Sequence, residues 1–265
     1  MSQRDRNEHI ARRNEVEVKD MFPNVTVQMM ASEHCDAAGL STALLNTQSG
    51  GVVPYHTHEC SECITPLKGN TCVEVEGRRY LLNPGDSIHV PAGIPHTVDH
   101  ADNDSECLMH CAFGSSVVTR EFLDRPDFKK TEVLSEEPNI NFQEHVVRST
   151  KGECVESTAG AVSLTLFDGS MGAEGLCGGY SEFQPGTAIA CHFHPYDESI
   201  SIVKGEAVCE VDGRSYRLAD CDTAMIPEGI CHRFLNDTNE LMAMIWVYAG
   251  ERRTRTVVDE CRCSK

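Results

Sequence analysis

Short runs in which apolar and polar residues alternate recur along the whole chain. Two such runs flank Glu-Gly within 73–82, and two more flank Asp-Gly within 208–218, which is typical of β-hairpins with tight turns. Gly and Pro separate the runs at close, regular spacing. This pattern predicts an all-β chain that folds into small sandwiches or barrels. Further short apolar runs lie at 87–90, 106–113, 223–226 and 241–248.

The chain repeats itself at an offset of 136 residues. Residues 69–96 align without a gap with residues 205–232, and 12 of the 28 aligned positions are identical, whereas chance would give roughly two. Carried further along the chain, the same offset pairs His110 with Trp246. The repeat predicts that one β domain occurs twice, so that two barrels pack side by side about a pseudo-twofold axis.

A charged segment that contains Pro126 and Pro138 separates the two copies and predicts the domain organisation. The N-terminal residues are also charged, and we expect them to be helical or partly disordered. The predicted regions are an N-terminal extension at 1–24, a first barrel at 25–125, a linker at 126–145, a second barrel at 146–252 and a C-terminal tail at 253–265.

Composition and charge narrow the classes of function. Of 265 residues, 23 are basic and 41 acidic, which gives a net charge of −18. Nucleic acids and anionic membranes both demand a basic face, so neither is expected as a partner. The longest apolar stretch, 241–249, is far shorter than the ~20 residues of a membrane-spanning helix. No secretory leader is visible, so the chain is expected in the cytoplasm with its 14 cysteines as free thiols.

Each copy contains three histidines and one glutamate at the same spacing. Because residues i and i+2 of a strand share a face, the two members of each His-x-His pair project together. The glutamate follows after a short bend, and the third histidine comes from a later strand. Three imidazoles and one carboxylate suit a divalent transition metal and leave coordination positions open. The first set is His56, His58, Glu62 and His96, and the second is His192, His194, Glu198 and His232.

With these residues in view, the chain resembles a bicupin, a protein with two cupin domains. The first cupin motif is Gly, five residues, His-x-His, three or four residues, Glu, six residues, Gly. It is met from Gly50 to Gly69 and again from Gly186 to Gly205. The second motif, which supplies the third histidine, is met in both copies except that His100 replaces its Asn in one and Cys221 replaces its Gly in the other. The resemblance covers both halves of the chain.

The resemblance implies a fold, a metal and a range of chemistries. Each half would be a jelly-roll (double-stranded β-helix) barrel with one metal, Fe(II) or Mn(II) in first place and Ni(II), Co(II) or Zn(II) as alternatives. A small keto-enol, hydroxy-ketone or keto-acid substrate would chelate that metal, and Glu62 or Glu198 would move protons. Dioxygenase chemistry is slightly favoured. The alternatives are a redox-neutral isomerase, decarboxylase or lyase of a sugar or keto acid, and a non-catalytic module that binds small molecules. The bicupin resemblance is also compatible with a homodimer.

Other noticeable residues are interpreted as structural. Cys60 lies between two ligands and is expected to pack beside the site. His110 and Trp246 are expected in the core, and Arg78 and Arg214 are expected either in solvent or paired with a nearby acid. The Cys-x-x-Cys at 60–63 and the Cys-x-Cys at 261–263 do not make a structural zinc site, which needs four ligands.

Overall fold

The computed structural model describes residues 6–101, 106–128, 133–134 and 142–258. Among these residues, helix is limited to two single 3₁₀ turns at Glu33–Cys35 and Gly169–Met171. No helix in the described ranges could cross a membrane. The regular structure is otherwise β, as the alternating pattern predicts.

The described ranges contain twenty-five named strands, fourteen of them up to residue 147 and eleven from residue 155 onward. The first group is β1 (His9–Ala11), β2 (Lys19–Phe22), β3 (Val25–Ala31), β4 (Ser41–Thr47), β5 (Val52–Thr57), β6 (Glu62–Lys68), β7 (Thr71–Val75), β8 (Arg78–Leu82), β9 (Ser87–Val90), β10 (His96–His100), β11 (Cys107–Phe113), β12 (Glu121–Phe122), β13 (Val133–Leu134) and β14 (His145–Val147). The second group is β15 (Val155–Thr158), β16 (Ala161–Phe167), β17 (Cys177–Phe183), β18 (His192–Phe193), β19 (Glu198–Lys204), β20 (Glu206–Val211), β21 (Arg214–Ala219), β22 (Thr223–Ile226), β23 (His232–Leu235), β24 (Met242–Tyr248) and β25 (Thr256–Val257).

These strands form two barrels of two sheets each. The first barrel combines a seven-stranded sheet, β14-β9-β6-β11-β4-β3-β2, with a six-stranded sheet, β12-β5-β10-β7-β8-β13. The second combines β1-β22-β19-β24-β17-β16-β15 with the five-stranded β21-β20-β23-β18-β25. Double-sheet barrels of this kind are jelly rolls. The predicted fold class, two tandem all-β barrels with pseudo-twofold symmetry, is confirmed.

The central strands of the two seven-stranded sheets are buried on both faces, because the barrels pack against each other through these sheets. Along β24, alternate side chains such as Met244 and Trp246 enter the core of the second barrel, whereas Ile245 and Val247 enter a separate core between the barrels. A strand covered on both faces reads as an unbroken apolar run. The longest apolar stretch of the sequence is therefore explained by a strand that is covered on both faces.

Each barrel is completed by an edge strand from the other half of the chain. Strand β1 pairs antiparallel with β22 of the second barrel, with His9 opposite Met225. Strand β14 pairs in the same way with β9 of the first barrel, with His145 opposite His89. The expectation of a helical or disordered N-terminus is therefore wrong for its described residues, which contain β1 and β2. Most of the segment predicted as a linker, including Pro138, lies outside the described residues.

A glutamate whose side chain is buried lies beside each exchanged strand and fixes it to the barrel that it completes. Glu144 accepts hydrogen bonds from Arg78 Nε at 2.6 Å and from Tyr80 Oη at 2.5 Å. Burial would raise the pKa of Glu144, but these hydrogen bonds hold it below its ordinary value. Glu8 is held identically by the counterparts of the two donors, Arg214 Nε at 2.5 Å and Tyr216 Oη at 2.7 Å. Both arginines are thus paired with an acid, in each case one from the other half of the chain.

A second ion pair repeats the exchange. Arg148 Nη1 donates to Asp86 at 2.9 Å, and Arg12 Nη1 donates to Asp222 at 2.7 Å. Cys221, which stands where the cupin motif has Gly, adopts the left-handed conformation with φ of 68°, close to the 87° of Gly85. The turn is kept because the adjoining aspartate accepts a backbone N–H three residues upstream in both copies.

Candidate metal centres

The first centre lies inside the first barrel, where β5, β6 and β10 meet. His56 lies opposite His96 on neighbouring antiparallel strands, and Glu62 begins β6. Glu62 Oε2 is 2.8 Å from His96 Nε2 and 3.2 Å from His58 Nε2. All four side chains are buried, and their potential ligand atoms lie within 4.8 Å of one another. The structure thus brings together the four residues that the sequence selects.

The backbone fixes the direction of all three imidazoles. The Nδ1 atom of His56 lies 2.7 Å from the carbonyl oxygen of Pro54, and that of His96 lies 3.0 Å from Ile94 O. His58 makes the corresponding hydrogen bond to Thr119 O. Because carbonyl oxygens only accept, Nδ1 carries the proton and each Nε2 presents a lone pair to the centre. Such outer hydrogen bonds orient the histidine ligands of metal sites.

The second centre reproduces this arrangement in the second barrel. Glu198 Oε2 is 2.8 Å from His232 Nε2 and 3.2 Å from His194 Nε2. The Nδ1 atom of His192 lies 2.8 Å from Ala190 O, and that of His194 lies 2.6 Å from Thr254 O. These inward atoms of Glu198, His194 and His232 are buried. Despite the short distances between them, no hydrogen bond joins them to one another or to another described residue. Buried acceptors left without donors fit a cation between them.

The ionisation of these groups also suits a divalent cation. Burial lowers the pKa of His56 and of His192 to about 3, so both imidazoles are neutral at neutral pH. Burial would raise the pKa of Glu62, but the neighbouring histidines hold it well below its ordinary value. His194 differs, because the attraction of Glu198 outweighs burial and raises its pKa. Metal ligation requires neutral imidazole and ionised carboxylate, and a bound cation would replace the proton on His194.

The two centres differ in the space beside the ligands. A cavity of about 130 Å³ reaches His56 and Glu62 in the first barrel, whereas the space beside His192 and Glu198 is about 20 Å³, room for one water molecule. The first cavity therefore admits a small molecule next to the ligands, and the second does not. The apolar lining of the first cavity includes Met29, Leu45, Val53, Val98, Phe113 and Val118.

Trp246 accounts for much of this difference. Phe113 lies opposite Glu62 and Tyr248 lies opposite Glu198, so the repeat offset is 135 on the last strand, one less than before. The structural counterpart of Trp246 is consequently Cys111. The pairing of Trp246 with His110 was wrong because the second copy has one residue fewer between the third histidine and the last strand.

Three neighbouring residues accommodate the indole of Trp246. It donates from Nε1 to Ser181 Oγ at 2.9 Å, and the guanidinium of Arg253 lies 4.9 Å from its ring centroid. Gly179 leaves the room that it needs, because a Cβ there would approach Trp246 Cζ2 to 2.3 Å. In the first barrel, Cys111 takes the place of the indole and Val118 takes the place of Arg253. Both side chains are smaller. Trp246 is a core residue, as expected.

The other residues singled out in the sequence lie away from the ligands' inner faces. His110 is buried, points away from the first cavity, and burial lowers its pKa to about 4. Cys60 packs against the core of the first barrel, and burial raises its pKa to about 11. The Cys-x-Cys at 261–263 lies outside the described residues.

Each centre is also lined by an arginine that the sequence patterns did not indicate. Arg120 lines the first cavity, and its Nε is buried with no hydrogen-bond partner in the described part of the chain. Arg255 lines the second. Each directly follows the threonine whose carbonyl oxygen holds the second histidine, Thr119 or Thr254. The sequence signal for these arginines is a Thr-Arg pair that occurs in both copies. It becomes visible only when the alignment of the two copies allows a gap of one residue.

Comparison with known proteins agrees with this architecture. The family model described as Cupin domain matches residues 43–113 and 179–248. Quercetin 2,3-dioxygenase of Bacillus subtilis (strain 168) is 23% identical over 256 residues, which covers 83% of this chain and 76% of that protein. Germin-like protein subfamily 3 member 3 of Arabidopsis thaliana is 37% identical over 84 residues, 29% of this chain and 39% of that protein.

Solved structures resemble the whole chain. A mutant of Bacillus subtilis oxalate decarboxylase superposes with a TM-score of 0.76 at 14% identity and covers 96% of this chain and 80% of its own. The formate complex of Lactobacillus farciminis oxalate decarboxylase gives a TM-score of 0.75 at 16% identity, over 95% of this chain and 88% of that one. At these identities the likeness concerns the fold.

Proposed function

The chain belongs to the cupin domain family, and on that premise we propose that it is a metal-dependent enzyme whose reaction takes place at the first centre. The observation that carries this proposal is the cavity of about 130 Å³ beside His56 and Glu62, which the second centre lacks. The second centre would hold its metal as a structural element inside its own barrel.

The cavity also limits the substrate class. A lining that is apolar apart from the ligands and Arg120 suits a small molecule with one anionic end. About 130 Å³ is well below the roughly 300–1,000 Å³ of pockets for drug-sized ligands. We therefore favour a small keto acid, keto-enol or hydroxy-ketone over a polycyclic substrate. The names of two relatives, a quercetin dioxygenase and oxalate decarboxylases, record oxidative and redox-neutral reactions of oxygenated substrates.

The residues of the first centre have separable roles in this proposal. A divalent metal would supply Lewis acidity and, if it is Fe(II), redox capacity. His56, His58 and His96 would hold it through Nε2, and Arg120 would orient the anionic end of the substrate. Glu62 would accept and return a substrate proton through its carboxylate. The apolar wall would exclude water and so strengthen both charge interactions.

Oxygen dependence separates the two candidate chemistries, of which we slightly favour the dioxygenase. We expect turnover of the substrate to consume O2 stoichiometrically, to stop in a glove box, and to fail with Zn(II), which has no redox chemistry. An oxygen electrode and anaerobic assays with Fe(II)-, Mn(II)- and Zn(II)-loaded protein measure this. Full-rate anaerobic turnover with Zn(II), accompanied by exchange of a carbon-bound hydrogen with deuterated solvent, would instead establish the isomerase, decarboxylase or lyase.

Arg120 should set the affinity for the anionic end of the substrate. Replacing it with alanine removes hydrogen bonds to a charged group, about 1.5–3 kcal/mol, so KM should rise roughly 10- to 150-fold. Arg120→Lys should recover part of this loss. The matched control is Arg255→Ala at the closed second centre, which should leave KM unchanged. Equal KM effects of the two alanine variants, measured with normal metal content, would contradict the assignment of substrate to the first centre.

A further inference from the structure

We propose a third metal site, formed by His9, His34 and Cys35 and separate from both cupin centres. One potential ligand atom from each residue lies within 4.8 Å of those of the other two. The rings of His9 and His34 meet edge to face with centroids 5.8 Å apart. The three residues come from two segments, the exchanged strand β1 and the 3₁₀ turn Glu33–Cys35 of the first barrel.

The side chains are arranged so that donor atoms remain available. Ser32 Oγ contacts His34 Nδ1 at 2.6 Å, which leaves the Nε2 of this imidazole for a metal. The Cys35 thiol donates to Ser32 O at 3.2 Å, a weak hydrogen bond that thiolate formation would release. His34 is exposed and His9 is half-buried, so an ion and its water ligands can reach the cluster from solvent.

The donor set selects the class of metal. Two imidazoles and one thiolate favour Zn(II), Co(II), Ni(II) or copper, and they disfavour Mg(II) and Ca(II), which prefer oxygen ligands. Binding would displace the thiol proton to solvent, and a water molecule would complete a tetrahedral site.

The duplicated fold does not by itself account for this cluster. At the repeat offset, His9 corresponds to His145, which β14 carries beside the first barrel. His34 and Cys35 correspond to Ser170 and Met171, so the second copy has the strand histidine without the other two ligands. His145 therefore serves as a matched control.

A metal at this position would act as a clamp. Strand β1 belongs to the sheet of the second barrel, whereas His34 and Cys35 belong to the first. Arg6 already bridges the same two bodies, since its guanidinium contacts Asp197 at 2.6 Å and the backbone oxygen of Asp36 at 2.8 Å. A metal would add a link of the same kind at His9, three residues along the chain.

Cobalt provides the test, because the two cupin centres contain no sulfur ligand. Metal-free full-length protein titrated with Co(II) should bind three equivalents, and one of them should produce a thiolate-to-cobalt charge-transfer band in the near ultraviolet. Cys35→Ser and His34→Ala should each lower the stoichiometry to two. The serine variant should abolish the band, whereas His145→Ala should keep both the third equivalent and the band.

The readouts distinguish this site from stray binding to other cysteines. Only two equivalents in the parent protein, or a band that survives Cys35→Ser, would overturn the proposal. His34 is exposed, so His34→Ala should fold normally, and its circular dichroism verifies this independently of metal content. Enzymatic activity does not enter the test.

Discussion

Replacing His96 with alanine is expected to remove one equivalent of metal and to lower kcat/KM about a thousandfold or more. The imidazole of His96 holds the metal beside the only cavity found next to a described ligand set that can admit a substrate. Loss of the Lewis acid forfeits several kcal/mol of transition-state stabilisation, and each 1.36 kcal/mol is a factor of ten in rate. Elemental analysis and steady-state kinetics of the same preparation measure both effects.

His232→Ala is the matched control, since it deletes the equivalent ligand of the closed second centre. It should also remove one equivalent of metal, but kcat/KM should stay within a few-fold of the parent value. Its thermal stability should fall, because a metal that binds only the folded state stabilises it. If His232→Ala abolished turnover while His96→Ala kept it, the roles assigned to the two centres would be reversed. Loss of both metals from either variant would show that the centres fold as one unit.

Glu144→Ala is expected to lower the free energy of unfolding by about 3 kcal/mol. This is the low end of the losses found when one partner of a buried ion pair is removed. The carboxylate accepts hydrogen bonds from Arg78 and Tyr80, and the hydroxyl of Tyr80 would be left buried without an acceptor. Arg78 keeps a second contact, to Glu76 at 3.0 Å, which limits the loss. The shift of the urea-unfolding midpoint measures the effect.

Two further variants calibrate this result. Glu8→Ala removes the symmetric carboxylate but should cost less, because its partner Arg214 is 45% exposed against 20% for Arg78. Arg217→Ala breaks an ion pair on the surface and should not change the midpoint measurably. A Glu144→Ala midpoint that matches the one for Arg217→Ala would mean that the exchanged strand β14 is held by its backbone ladder alone.

The sequence predicts the barrels and the clustering of the two His/Glu sets well because both depend on strictly spaced residues. His56 and His58 must be two apart to share a strand face, and Gly77 and Gly213 occupy hairpin turns with φ of 85° and 84°. The repeat makes each of these signals count twice. Local geometry therefore carries the prediction of fold and ligands without any knowledge of distant contacts.

Two features depended on contacts that local patterns do not encode. Strand β1 has only three residues, too few for a period to be recognised. The signal lay elsewhere, in Glu-His-x-x-Arg at 8–12 and again at 144–148, an identical spacing at the repeat offset. The place of Arg120 beside the first centre was hidden by the one-residue gap before the last strand. In each case the missing information was which partner the segment meets, and packing decides that.

The exchange of edge strands has a consequence for the order of events during biosynthesis. His9 pairs with Met225, so roughly 216 further residues must be made before the strand finds its partner, on the order of 10–40 s at ~5–20 residues per second. His145, by contrast, meets His89 on a barrel that has already emerged. Of the described strands, β1 must therefore wait longest, as an unpaired edge that could join other chains. Charged residues protect an exposed edge strand from aggregation, and Glu8, Arg12 and Arg13 flank β1 in this way while the chain is still on the ribosome.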